Sequence, residues 1–226
     1  MLIFIIIIIL SNAAIIGTKS INLNNEESTI VLVMGFGPFL NYSINPSELI
    51  AAELDGKIIN DAEIIGLQIQ PNLSNFNESI EIVYQAIQEY NPQYIFPIGL
   101  AAKYENIRIE KIGYNLKIET KEDASLEKLI RKGPWIYLSP FPTNKIVEEL
   151  RKENIPSQTS LFPGLSLCNG MFYSILNYID EYDLNIKSGF IHVPLMKTEE
   201  NPNAMELQTM VNSTEIIINS CLEFFI

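Results

Sequence analysis

From Thr29 onward, short β-branched apolar runs alternate with longer stretches in which apolar residues recur at every third or fourth position. The first pattern predicts strands and the second amphipathic helices, so the chain reads as an α/β protein. Thr29 to Met34 is an unbroken apolar run ending in Gly35, as expected of a strand buried on both faces of a central sheet. Asn45 and Pro46 supply an N-cap and a first-turn proline for a helix through Leu54. Ala62 to Gln70 predicts a second strand, and Phe76, Ile80, Val83 and Ile87 mark the buried face of a helix over 74–90. Tyr94 to Ile98 predicts a third strand. Between Leu100 and Leu116, Ile107 and Ile109 alternate with polar residues, which predicts a hairpin or an edge strand. Residues 119–135 are charged and contain Gly133-Pro134, the mark of a surface excursion. Thr143 is expected to cap a helix through Asn154, Thr159 to Phe162 to form a strand, and a helix to run from Cys168 to Tyr182. Ser188 to Val193 predicts a last short strand and Met205 to Leu222 a final helix. No repeat or boundary interrupts 29–226, so the expected architecture is a single three-layer α/β/α sandwich around a mixed, mostly parallel sheet.

Composition narrows the chemistry. The 27 acidic residues outnumber the 15 basic ones, the formal charge is −12, and no run of Lys or Arg forms a stripe. A nucleic-acid or anionic-membrane partner is therefore disfavoured. One histidine, His192, and two cysteines, Cys168 and Cys221, exclude a disulfide scaffold and fall short of the four ligands of a closed zinc site. Any mechanism that uses an imidazole must use His192. The opening MLIFIIIIIL gives way to SNAA, which reads as a leader over residues 1–14, too short for the roughly 20 apolar residues of a membrane span. Secretion or delivery to a secretory lumen is expected if the leader functions, with no lasting membrane partner once it is cleaved. A cytoplasmic location is expected otherwise. Sequons at Asn41, Asn72, Asn77 and Asn212 accord with passage through a glycosylating compartment.

Two positions stand out for reactivity. Cys168 follows a loop with Pro163 and Gly164 and falls in the first turn of a strongly amphipathic helix. Unpaired N–H groups and the helix dipole favour a thiolate there and would receive an oxyanion. The competing reading is a small buried filler, which fits Cys221 in the last helix. His192 lies at the carboxyl end of a predicted strand, where open α/β sheets place their sites, although a lone strand histidine is also an ordinary core residue. With one helix between them, the two residues have the placement of a neighbouring Cys–His pair. A third group must orient the imidazole, and spacing does not choose among so many carboxylates.

The motifs resemble a known family. GFGPF from Gly35 to Phe39 with Asn45-Pro46-Ser47, GLA with a downstream IEKI holding Glu110, PGLSLCN ending in Cys168-Asn169, and GFIHVP around His192 match pyroglutamyl peptidase I in order and spacing. That family, also called pyrrolidone carboxyl peptidase, removes N-terminal pyroglutamate from peptides on an α/β/α sandwich that commonly forms homo-oligomers. The resemblance covers about residues 29–220. It implies Cys168 as nucleophile, His192 as general base, Glu110 as the orienting carboxylate, and an acyl-enzyme with no metal or cofactor. It also implies Phe36, Phe39, Asn45 and Asn169 as substrate-binding residues, with the two phenylalanines lining the lactam pocket. The chain departs from the family's pattern in several places. Lys103-Tyr104 stand where most members have Gly-Arg, Lys111 replaces an arginine, and Phe162-Pro163-Gly164 replace Ser-Ala-Gly. GFGPFLN departs from the family's GFxPFGG, and the Asp-Ala usual after the asparagine at Asn115 is missing. The alternative expectation is a secreted, non-catalytic relative that keeps the pocket for pyroglutamyl or related peptides.

Overall fold

The computed structural model describes residues 28–71, 75–119 and 125–225, so the leader reading over 1–14 and the sequon at Asn72 lie outside the described residues. The first half of the chain forms β1 (Ile30–Phe36), α1 (Pro46–Leu54), β2 (Ile58–Ile59), β3 (Ala62–Ile69), α2 (Phe76–Tyr90) and β4 (Tyr94–Leu100). Then follow β5 (Ile107–Glu110), β6 (Ile112–Tyr114), β7 (Lys117–Glu119), β8 (Ser125–Glu127) and β9 (Ile136–Leu138). The remainder is α3 (Thr143–Lys152), β10 (Ser157–Ser160), α4 (Leu167–Glu181), β11 (Lys187–Ser188), β12 (Phe190–Val193) and α5 (Leu207–Phe225). No described helix is long and apolar enough to cross a membrane.

The central sheet runs in the order β10, β5, β12, β4, β1, β3, β2, with β11 also paired to β4. Its pairs are parallel except β12 with β5 and β2 with β3. β1 shows why the sheet is a middle layer. Val31 and Val33 enter one core with α1, α3 and α5, while Leu32, Met34 and Phe36 enter the other with α2 and α4. Strand side chains alternate between faces, so only a continuous apolar run satisfies both cores.

Three local expectations are corrected. β5 is no edge strand, because it lies between β10 and β12 with all four residues buried. Its polar positions Arg108 and Glu110 face a protein layer rather than water. Thr143 is the first residue of α3 and not its cap, since Pro142 holds the N-cap position without a side-chain capping bond. The strand expected over 188–193 breaks at Gly189, where a Cβ would lie 2.2 Å from the Phe141 ring. The excursion over 119–135 is anchored by two small hairpin pairings, β6 with β9 and β7 with β8.

Candidate active site

β12 is parallel to β4 on one side and antiparallel to β5 on the other. The antiparallel register sets His192 opposite Arg108 and Phe190 opposite Glu110. Directly opposed residues share a face. Ile107, Ile109, Ile191 and Val193 therefore enter the core under α3 and α5, while Arg108, Glu110, Phe190 and His192 turn toward α4. His192 Nδ1 lies 2.9 Å from Glu110 Oε1, with Glu110 wholly buried and His192 5% exposed. A carboxylate only accepts, so Nδ1–H donates to it and Nε2 is left to act on other atoms.

Cys168 arrives from the other direction, as the second residue of α4, and is half-buried. Its sulfur lies within electrostatic reach of the His192 imidazole. The N-cap residue Ser166 makes no side-chain capping bond, and the first intrahelical bond of this end is Gly170 N–H to Ser166 O at 2.9 Å. The N–H groups before Gly170 therefore have no acceptor within the helix. Room for the thiol comes from Gly99 on β4, where a Cβ would lie 2.9 Å from Cys168 Sγ and 3.0 Å from Phe190 Cζ. Gly99→Ala is expected to push the sulfur off the imidazole and lower kcat/KM about 10²-fold, since a 1 Å misplacement costs about that much. Steady-state kinetics alongside a thermal melt check it, and unchanged kcat/KM in a folded variant refutes the close approach.

Burial works against a charged imidazole, but the Cys168 sulfur and the Glu110 carboxylate outweigh it and push His192 up from 6.5 to about 9. Cys221 contrasts with Cys168. It is fully buried in α5, and burial holds its thiol well above the usual range.

The residues expected to touch substrate divide. Phe39 is half-buried and lines a cavity of about 850 Å³ beyond the carboxyl ends of β1 and β3, with Tyr42, Gln70, Glu78 and Ile82. Phe36, the last residue of β1, is 2% exposed and packs in the core beneath α2 and α4. Asn45 is buried, and its amide bonds locally. Its Oδ1 accepts from Ser47 N–H at 3.2 Å, and its Nδ2 donates to Gly37 O at 3.1 Å. Asn169 is fully buried, accepts from Tyr114 N–H at 2.8 Å, and donates to Tyr114 O at 2.9 Å and Leu116 O at 2.8 Å. Both N–H groups of that amide are spent, and it ties the start of α4 to the chain after β6. Asn115 continues the tie by bonding Ile130 N–H and O and Gly133 O. The cavity lining does not include Cys168, His192 or Glu110. α2 borders both places, because Phe76 lies against Gly170 while Glu78, Ser79 and Ile82 line the cavity.

The sequence reading passed over Arg108. It is 9% exposed, its Nε is 3.8 Å from Glu110 Oε1, and its guanidinium stacks 3.9 Å above the Tyr104 ring. Alternation with Ile107 and Ile109 was the available signal, because it puts Arg108 and Glu110 on one face.

A thiol at a helix start, an imidazole near it and a carboxylate behind the imidazole, set on an α/β/α sandwich, are groups suited to nucleophilic chemistry at sulfur. Residues 29–223 match the family model described as pyroglutamyl peptidase. The chain is 36% identical over 197 residues to pyrrolidone-carboxylate peptidase 1 of Caldanaerobacter subterraneus, covering 83% of this chain and 95% of that protein. It is 33% identical over 202 residues to pyrrolidone-carboxylate peptidase of Bacillus mycoides, covering 85% and 93%. Among solved structures, a mutant pyrrolidone carboxyl peptidase from Pyrococcus furiosus superposes with a TM-score of 0.80 at 29% identity, covering 88% of this chain and 100% of that one. Pyroglutamyl peptidase I from Bacillus amyloliquefaciens gives 0.77 at 27% identity, covering 86% and 95%. The chain belongs to the pyroglutamyl peptidase family.

Proposed function

We propose that this protein hydrolyses the bond after an N-terminal pyroglutamyl residue through a Cys168–His192–Glu110 triad and a thioester acyl-enzyme. The observation that carries the reading is the buried 2.9 Å contact between His192 Nδ1 and Glu110 Oε1, on a ring that also feels the Cys168 sulfur. Cys168 Sγ attacks the pyroglutamyl carbonyl carbon, and the first-turn N–H groups of α4 face the oxyanion. His192 gives its proton to the departing amine as the C–N bond breaks. The neutral ring then takes a proton from water, whose oxygen attacks the thioester. Pyroglutamate leaves, and the proton returns to sulfur. The cavity beside Phe39 borders α2, as the site does, and an aromatic wall suits a small neutral lactam.

Protein lacking residues 1–14 is expected to release a fluorophore from a pyroglutamyl amide under reducing conditions. Absence of turnover by well-folded protein refutes the reading. The pH profile gives a second check. Because His192 is raised to about 9, its imidazolium persists through neutral pH, and kcat/KM is expected to fall as pH rises through about 9. The same raised value stabilises the fold fully below 6.5, and that contribution is lost as pH climbs from there through 9.

A further inference from the structure

We propose that Arg108 is a positioning residue of this site, a buried cation directly across the ladder from His192 that holds the Glu110 carboxylate in place and shares its charge with the imidazole. The proposal rests on the Cys168–His192–Glu110 reading and concerns what tunes it. Three contacts fix the guanidinium: the Tyr104 ring at 3.9 Å, Ser160 Oγ, which accepts from Nη2 at 2.8 Å, and Glu110 Oε1, 3.8 Å from Nε. Tyr104 comes from the loop after β4 and Ser160 from β10, so the two elements flanking the site converge on one side chain. Arg108 Nε and Glu110 Oε2 are both buried without hydrogen-bond partners among the described residues, which leaves charge attraction as the link between the two groups.

Burying a cation is costly unless an opposite charge answers it. Among the described residues, the groups acting directly on His192 are Glu110 on β5 and Cys168 on α4, while Arg108 stands opposite it in the β5 register and its β4 partner is Gly99. One carboxylate thus serves two cations whenever His192 is protonated. Like charges directly opposed on a sheet repel, so Arg108 opposes the imidazolium that Glu110 favours. The result suits a ring that must give up a proton in one step and accept one in the next, because a base held too firmly in its charged form is seldom neutral at working pH. The position vacated by the family's Gly-Arg pair is occupied by Lys103-Tyr104, and the Tyr104 ring is what seats this arginine.

The chain has one histidine, so untagged protein gives one set of imidazole signals and His192 can be titrated directly by NMR. Arg108→Met is expected to raise the midpoint by about one pH unit, the size of shift that a neighbouring charge produces. Arg108→Lys keeps the charge and is expected to hold the midpoint near the wild-type value. Tyr104→Leu, at a ring 44% exposed, loosens the guanidinium and is expected to move the midpoint the same way by less. In turnover, Arg108→Met is expected to lower kcat about tenfold at neutral pH where deacylation limits, because a one-unit rise leaves a tenth as much neutral ring to activate water, while KM falls with it and kcat/KM, set by acylation from the imidazolium, holds. A midpoint that stays or falls in Arg108→Met overturns the proposal, as does an equal rise in Arg108→Lys. If Arg108→Met does not fold, Tyr104→Leu decides. The titration needs no substrate. Protein that shows the rise without hydrolysing a pyroglutamyl amide would refute the proposed activity and leave the role of Arg108 intact.

Discussion

Replacing Cys168 with alanine is expected to lower kcat/KM for a pyroglutamyl amide by about 10⁵-fold, roughly 7 kcal/mol of transition-state stabilisation. The size follows from the site's inventory. Cys221 is the only other thiol, and it is sealed in α5 with its proton held by burial, so no second sulfur can replace the lost one. The fold should tolerate the change, because Cys168 is half-buried and sits over a glycine rather than in a filled core. A fluorogenic assay paired with a thermal melt separates loss of chemistry from loss of structure. Activity above about one per cent of wild type in folded Cys168→Ala would show that the thiol is not the attacking group.

Glu110→Gln is expected to act on both chemistry and stability. An amide of nearly the same shape removes the charge behind His192, and the analogous acid-to-amide change in a serine protease triad costs about 10⁴-fold. The carboxylate is one of the causes that raise His192, so the alkaline limb of the pH profile should move from about 9 back toward 6.5. Stability should also fall, by about 3 kcal/mol, because Arg108 is left as a buried charge with only Ser160 and the Tyr104 ring beside it. Denaturant unfolding at constant slope reads that cost. A variant with normal kcat and an unmoved alkaline limb would remove Glu110 from the mechanism.

The layers of the fold were legible because they follow from periodicity. The TIVLVM run fills two cores at once, and the spacing of Ile80, Val83 and Ile87 gives α2 its buried side. Cys168 and His192 were legible for a different reason, since scarcity leaves few alternatives. Glu110 was not legible from the residues themselves. In a chain with 27 acids nothing local marks the one that is fully buried, and only the matched motif singled it out. β5 was misread as an edge because polar residues alternating with isoleucine have the pattern of a half-exposed strand. Here the polar side meets a second protein layer, and its charges answer each other. Asn45 and Asn169 bear on the same limit. Asparagine in a motif has the groups of a ligand-binding residue, yet whether its amide is free depends on backbone partners distant in sequence, such as Tyr114 for Asn169 at 55 positions away.

β5 also sets how this chain can vary in length. Four consecutive residues alternate between Ile107 and Ile109 in one core and Arg108 and Glu110 in the site. Inserting or deleting one residue just before the strand would exchange the two sets, carrying two charges into an aliphatic core and two isoleucines against the imidazole. Side chains here can be replaced one at a time at graded cost, whereas a shift of frame spoils packing and chemistry together. Variation in length is therefore confined to stretches that do not set this register.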